Sequence, residues 1–259
     1  MNSTITITRK TATLISTDRT FSPPYNPYGR GCLSSPKSKE KNSTNLYSRN
    51  LKTVKGLIEM NITDNSYYVT FTINKSKYPA ECFDAKFITD KFKRFIEKFK
   101  KKLSKLNSNI TPKFIRFLHL GSDKTFHLHV IFFSDLYLTK YDIEELWKLG
   151  TIHLDPIKKY MKKKNIENYN GLAYYGLKHL NSIESLHVYS PSKGLEKPIR
   201  ISLSEEPEIY NFISNELKEE KKTLKNEYQH KFLGKVEQFV YDIQNDSNKY
   251  FNLIDNGEI

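Results

Sequence analysis

Three of the chain's seven histidines, His119, His127 and His129, fall within eleven residues of one another. They stand on two apolar runs, Phe114 to Leu120 and Phe126 to Phe133, separated by Gly121-Ser-Asp-Lys-Thr125. That separator has hairpin length and contains glycine. The simplest antiparallel register pairs Leu120 with Phe126, and therefore His119 with His127, bringing directly opposed Cβ atoms to roughly 4.5–5.5 Å. His129 lies two residues along from His127, so its side chain leaves the same face. All three imidazoles converge there beside Ile131 and Phe133, while Phe126, Leu128 and Val130 take the other face. Neutral imidazoles packed this closely suit a shared divalent metal. Three ligands with open positions are what metal-assisted chemistry on a phosphate requires. A closed zinc tetrahedron needs a fourth ligand, and none is evident nearby. The competing reading is a hairpin whose histidines merely pack or hydrogen-bond, which is far more usual for one histidine than for three on one face.

A second constellation is Ala173-Tyr174-Tyr175-Gly176-Leu177-Lys178-His179. At 100° per residue, Ala173, Leu177 and Leu180 share one side of a helix, and Tyr175 and Lys178 form an i, i+3 pair on the other. A free tyrosine, with a pKa near 10, is a poor nucleophile at neutral pH and needs a cation or a metal-polarised phosphate nearby. Lys178 supplies the cation. Surface Tyr/Lys pairs are common in a chain with 17 tyrosines, so this pair takes its weight from the histidines.

The elements that must position these groups are legible in outline. Tyr67, Val69, Phe71 and Ile73 alternate with polar residues and predict a half-buried strand. Phe87, Phe92, Phe95, Ile96, Phe99, Leu103 and Leu106 recur at helical spacing among lysines, predicting an amphipathic helix with a cationic outer face. Ile143, Leu146, Trp147 and Leu149 mark a short helix ended by Gly150. Ile152 and Leu154 mark a strand, and Gly171 to Leu180 another helix. The first fifty residues cluster Ser, Thr, Asn, Pro and Gly, and read as flexible or partly ordered. From about Glu208, apolar residues spaced among Lys and Glu predict one or two amphipathic helices.

Composition bounds the partners. A formal net charge of +13 over 259 residues calls for an acidic partner, of which nucleic acid is the commonest. Cys32 and Cys82 are too few and too far apart for a disulfide framework or a zinc ribbon. No apolar run of about 18 residues occurs, so a soluble protein with no membrane partner is expected. The Ser/Thr-rich, acid-poor N-terminus also has the composition of an organelle transit peptide. No GxxxxGK[ST] loop is present, so a helicase would have to be a separate protein.

With these residues in view, the chain resembles rolling-circle replication initiators of the HUH endonuclease family. His127-Leu128-His129 resembles the paired histidines that give the family its name, and Tyr68-Val-Thr-Phe-Thr72 its first motif. Tyr175-Gly-Leu-Lys178 resembles the third motif, a nucleophilic tyrosine with a lysine three residues on. Val188-Tyr-Ser-Pro-Ser-Lys-Gly-Leu-Glu-Lys-Pro198 is similar to a stretch that often follows it in phage-type members. The similarity spans roughly residues 60 to 200. In one place the chain departs: the family commonly has a glutamate where His119 stands, and an all-histidine site favours manganese or softer ions over magnesium.

The resemblance implies an α+β fold with a central antiparallel sheet of about five strands and packed helices. It also implies three segments: a flexible basic arm over 1–55, a nuclease domain over 56–205 and a helical extension over 206–259. It implies a divalent metal, Mn or Mg, on His119, His127 and His129, attack by Tyr175 with help from Lys178, and DNA contacts from Lys193, Lys197 and Arg200. The expected partners are single-stranded or hairpin origin DNA and a separate helicase and polymerase. The expected location is the cytoplasm or wherever the replicon resides, an organelle included. A transposase or relaxase, and a non-catalytic DNA-binding regulator of the same fold, remain alternative readings.

Overall fold

The computed structural model describes residues 2–18, 36–106, 111–133, 139–178, 189–230 and 233–255. In chain order, the first elements are β1 (Asn2–Ile7), β2 (Thr11–Thr17), α1 (Pro36–Asn61), β3 (Tyr67–Phe71) and α2 (Ala85–Leu106). Then come β4 (Lys113–Leu120), β5 (Phe126–Phe133), α3 (Lys140–Trp147), β6 (Ile152–Pro156), α4 (Ile157–Lys163) and α5 (Tyr169–Leu177). The last are β7 (Tyr189–Pro191), β8 (Ile199–Ser202), α6 (Pro207–Glu216), β9 (Lys221–His230), β10 (Gly234–Asp242) and α7 (Ser247–Asp255). The fold is α+β, as expected, but with two five-stranded antiparallel sheets rather than one.

The chain divides into two compact units, residues 39–195 and residues 1–38 with 196–259. Residues 39–195 hold 28 of the 42 Lys and Arg and 15 of the 29 Asp and Glu, so this unit carries the entire net charge of +13. The other unit balances 14 basic against 14 acidic residues.

Within residues 39–195 the strand order is β6-β3-β5-β4-β7. The hairpin β4–β5 has the register read from the sequence, with Leu120 opposite Phe126 and His119 opposite His127. Its turn explains why. Gly121 N–H donates to the Thr125 carbonyl at 2.8 Å, Lys124 takes a left-handed φ of 65°, and Asp123 accepts from both the backbone and the hydroxyl of Thr125. Those bonds hold the Asp123 carboxyl below its ordinary pKa.

Each face of the sheet is covered. On one, Phe92, Phe95, Phe99 and Leu103 of α2 pack against Phe71, Val130 and Phe132, with Trp147 of α3 alongside. Burial of each such side chain contributes roughly 1.5–3 kcal/mol before entropy is counted. Lys102 of α2 binds Asp142 of α3 at 2.8 Å, and Asp142 also closes a capping box with Thr139. On the other face, Val54, Leu57 and Ile58 of α1, Ile157 and Tyr160 of α4, and Leu172, Ala173 and Leu177 of α5 surround Tyr68, Ile115, Phe117 and Ile131. Strand β3 is thus buried on both faces and not half-buried. It lies between β6 and β5, and Tyr68 is as buried as Val69.

In the other unit the order is β8-β1-β2-β10-β9. Residues 2–17, read from the sequence as part of a flexible arm, are two strands in the middle of a sheet. Ile5, Ile7, Ala12 and Leu14 alternate inward and pack with Ile201, Ile213, Tyr241 and Tyr250. The period-two pattern is short and rich in threonine, and its pairing strands lie near the other end of the chain. The helical extension expected over 206–259 is also corrected. Helices α6 and α7 form, but Lys221–His230 and Gly234–Asp242 between them are an antiparallel pair. Residues 36–55, also assigned to the arm, belong to α1. Helix α5 ends at Leu177, and the expected continuation to Leu180 lies outside the described residues.

Candidate functional site

The three histidines meet on one face of the hairpin, as the register requires. Their candidate ligand atoms all lie within 4.8 Å of one another, and the ring centres are 4.2 Å apart for His119–His129 and 4.9 Å for His127–His129. His119 and His129 are buried, and His127 is half-buried.

Two hydrogen bonds orient the buried pair. His119 Nε2 lies 3.0 Å from the Gly176 carbonyl oxygen, which can only accept, so Nε2 carries the proton and the lone pair resides on Nδ1. Thr70 Oγ1 engages His129 Nδ1 at 2.9 Å, which leaves Nε2 as the second ring nitrogen of that residue. Partners of this kind fix ring orientation and tautomer in metal sites. Metal–nitrogen bonds are about 2.0–2.1 Å long, so the three rings fit one ion after small rotations. The donor set is all nitrogen and suits Mn or a softer first-row ion better than Mg.

Helix α5 brings the phenol. It starts at Asn168, whose side chain accepts from Gly171 N–H at 2.9 Å, and it lies on the sheet through Gly176. A Cβ at Gly176 would fall 2.7 Å from the Phe117 ring, so only glycine permits this approach. The same contact places the Gly176 carbonyl on His119 and puts the Tyr175 ring centre 6.3 Å from both His119 and His129. Lys178, at the C-terminal cap of α5, sets its ammonium 4.8 Å from the Tyr175 ring centre. Tyr174 is 57% exposed and meets Tyr47 edge-on. The structure therefore brings together His119, His127, His129, Tyr175 and Lys178.

The three expected DNA contacts divide between the units. Lys193 follows β7 in the unit that holds the histidines, whereas Lys197 and Arg200 belong to the other unit, Arg200 on β8. All three are exposed. The expected domain end at 205 is replaced by a division after Leu195.

Several residues escaped the sequence reading. Thr70, opposite His129 across β3 and β5, could be placed only once those strands were known to pair. Tyr68 stacks on Tyr160 with ring centres 3.7 Å apart, and Tyr160 meets Tyr175 at 6.0 Å. Burial raises the pKa of both Tyr68 and Tyr160, so these phenols stay neutral. Lys140, Lys163 and Lys164 gave no sequence signal beyond being lysines.

Residues 66–179 match the family model of the ORF2-type replication-associated proteins. The matched stretch runs from the residue before β3 to just past α5, and so contains the three histidines, Thr70, Tyr175 and Lys178. This match supports a replication initiator role. No curated protein and no solved structure matches the chain. Among the described residues, no helix is long and apolar enough to cross a membrane.

Proposed function

We propose that the protein is a metal-dependent nickase that cuts single-stranded origin DNA with Tyr175 and so initiates rolling-circle replication. The observation that carries this reading is the meeting of three imidazoles with one phenol on a strongly basic unit. A divalent metal held by His119, His127 and His129 supplies Lewis-acid polarisation of the scissile phosphate.

The chain's own residues do the rest. The hairpin turn fixes His119 opposite His127, and Thr70 and the Gly176 carbonyl hold two rings in place. The Tyr175 oxygen attacks phosphorus in line. A P–O bond to tyrosine forms, the bond from phosphorus to the 3′ oxygen breaks, and the phenol proton is balanced by protonation of the leaving oxygen. The products are a 5′-phosphotyrosine and a 3′-OH that can prime synthesis; reversal reseals the strand. Lys178 keeps a positive charge beside the attacking group, where negative charge builds on the phosphate oxygens. The substrate is single-stranded, or extruded as a hairpin, because the backbone must reach a site lying between a sheet and α5.

The test is an incubation with Mn²⁺ and a labelled pool of random single-stranded oligonucleotides, followed by denaturing electrophoresis and peptide mass mapping. A covalent adduct on Tyr175 is expected, abolished by Tyr175→Phe and by chelator and retained by Tyr174→Phe. An undiminished adduct in Tyr175→Phe removes the assignment.

A further inference from the structure

The mechanism above uses none of the lysines on α3 and α4, yet three of them face the site. Lys140, Lys163 and Lys164, with Tyr68, Thr70 and His153, line a cavity of about 340 Å³ that also reaches His129 and Tyr175. That volume falls in the range of small-ligand sites, about 300–1,000 Å³. Its charge is unbalanced. Lys140 is paired with Glu144 at 3.1 Å, and the one carboxylate in the lining, Asp155, stands 3.7 Å from Lys163, beyond hydrogen-bonding distance. Lys164 has no ion pair among the described residues. An anion entering this space meets excess positive charge.

A second, independent observation points to a ligand. The Tyr68 hydroxyl is fully buried and has no hydrogen-bond partner. Such a group is costly to leave unsatisfied, at about 1–3 kcal/mol. Burial keeps it protonated, so it is a donor in search of an acceptor oxygen.

We propose that this cavity holds the nucleotide next to the scissile phosphodiester. Lys163 and Lys164 would hold the neighbouring phosphate, and an oxygen of the same nucleotide would accept from Tyr68. The inference rests on the reading of the histidine cluster as a phosphodiester centre, because one nucleotide then spans the two places with a phosphate at each end. His153 and Thr70 lie side by side on β6 and β3 and line the floor between them.

Calorimetric titration of the full chain in Mn²⁺ tests it, with thymidine 3′,5′-bisphosphate, thymidine 5′-monophosphate and thymidine 3′-monophosphate as probes. The bisphosphate is expected to bind at least about tenfold more tightly than either monophosphate. In Lys163→Met/Lys164→Met that advantage should vanish, while Mn²⁺ binding and Tm stay unchanged. Lys159→Met/Lys162→Met removes the same charge from the same stretch outside the cavity lining and should keep the advantage. Tyr68→Phe should weaken the bisphosphate several-fold. A bisphosphate that binds no more tightly than a monophosphate, or an advantage that survives in the Lys163/Lys164 variant, overturns the subsite. The two readings fail separately. A Tyr175 adduct without bisphosphate preference removes the subsite alone, and bisphosphate preference without an adduct removes the nickase alone.

Discussion

Replacing Gly176 with alanine asks whether the approach of α5 to the sheet sets the geometry of the site. The new Cβ would lie 2.7, 2.8 and 2.9 Å from three carbons of the Phe117 ring, where carbon atoms rest at about 3.5–4.0 Å. Phe117 is completely buried and has no solvent to turn into. Helix α5 must therefore lift by roughly 0.7–1 Å to reach that contact distance. The bond from His119 to the Gly176 carbonyl, now 3.0 Å, would open to about 3.7–4 Å and cease to be a hydrogen bond. Overpacking costs about 1–3 kcal/mol, which lowers Tm by roughly 2–12 °C for a protein of this size. Tyr175 moves with the helix, and a misplacement near 1 Å costs on the order of 10²-fold in rate. The assay is single-turnover formation of the covalent DNA adduct, well below the variant's own Tm, with Tm followed by circular dichroism. Phe117→Leu added to the alanine variant makes room and should recover at least about tenfold of the loss. Adduct formation within twofold of the parent, or no recovery in the double variant, would show that the close contact does not position the tyrosine.

Other outcomes follow from the same geometry. Thr70→Val keeps the shape but removes the bond to His129, so Mn²⁺ affinity should fall about 10–100-fold by titration, and an unchanged affinity would leave Thr70 without a role. The Asp142 carboxyl is held at about 2, first by Lys102 and then by Thr139, against an ordinary 3.8. A lowered folded pKa means that this stabilisation is complete above about pH 4 and disappears as pH falls towards 2. Asp142→Asn should therefore cost about 1 kcal/mol at neutral pH, after allowance for solvent screening, and the gap in denaturant stability should close by pH 2. Binding of single-stranded DNA should weaken linearly on a log–log salt plot, and Lys163→Met/Lys164→Met should reduce the slope by about 1.4 if both lysines meet phosphates. An unchanged slope would place those lysines away from the strand.

Much of the site was legible because its determinants are local. A five-residue turn beginning with glycine fixes the β4–β5 register, and period-two alternation then places three imidazoles on one face. Helical periodicity sets Lys178 beside Tyr175 in the same way. Net charge was readable as a total, but its confinement to residues 39–195 became visible only with the division into units. The second sheet was illegible because β1 and β2 are completed by β8 and β10, which lie some two hundred residues away, and short threonine-rich alternation cannot name such partners. The lysine-rich C-terminal strands misled for a related reason, since spaced apolar residues among Lys and Glu fit a helix until a neighbouring strand supplies the pairing. Residue order alone thus determined which groups converge within a hairpin or a helix. Tertiary packing decided that Gly176 sits against Phe117, that Thr70 turns His129, and that α4 closes a cavity beside both, because each depends on surfaces brought together from distant parts of the chain.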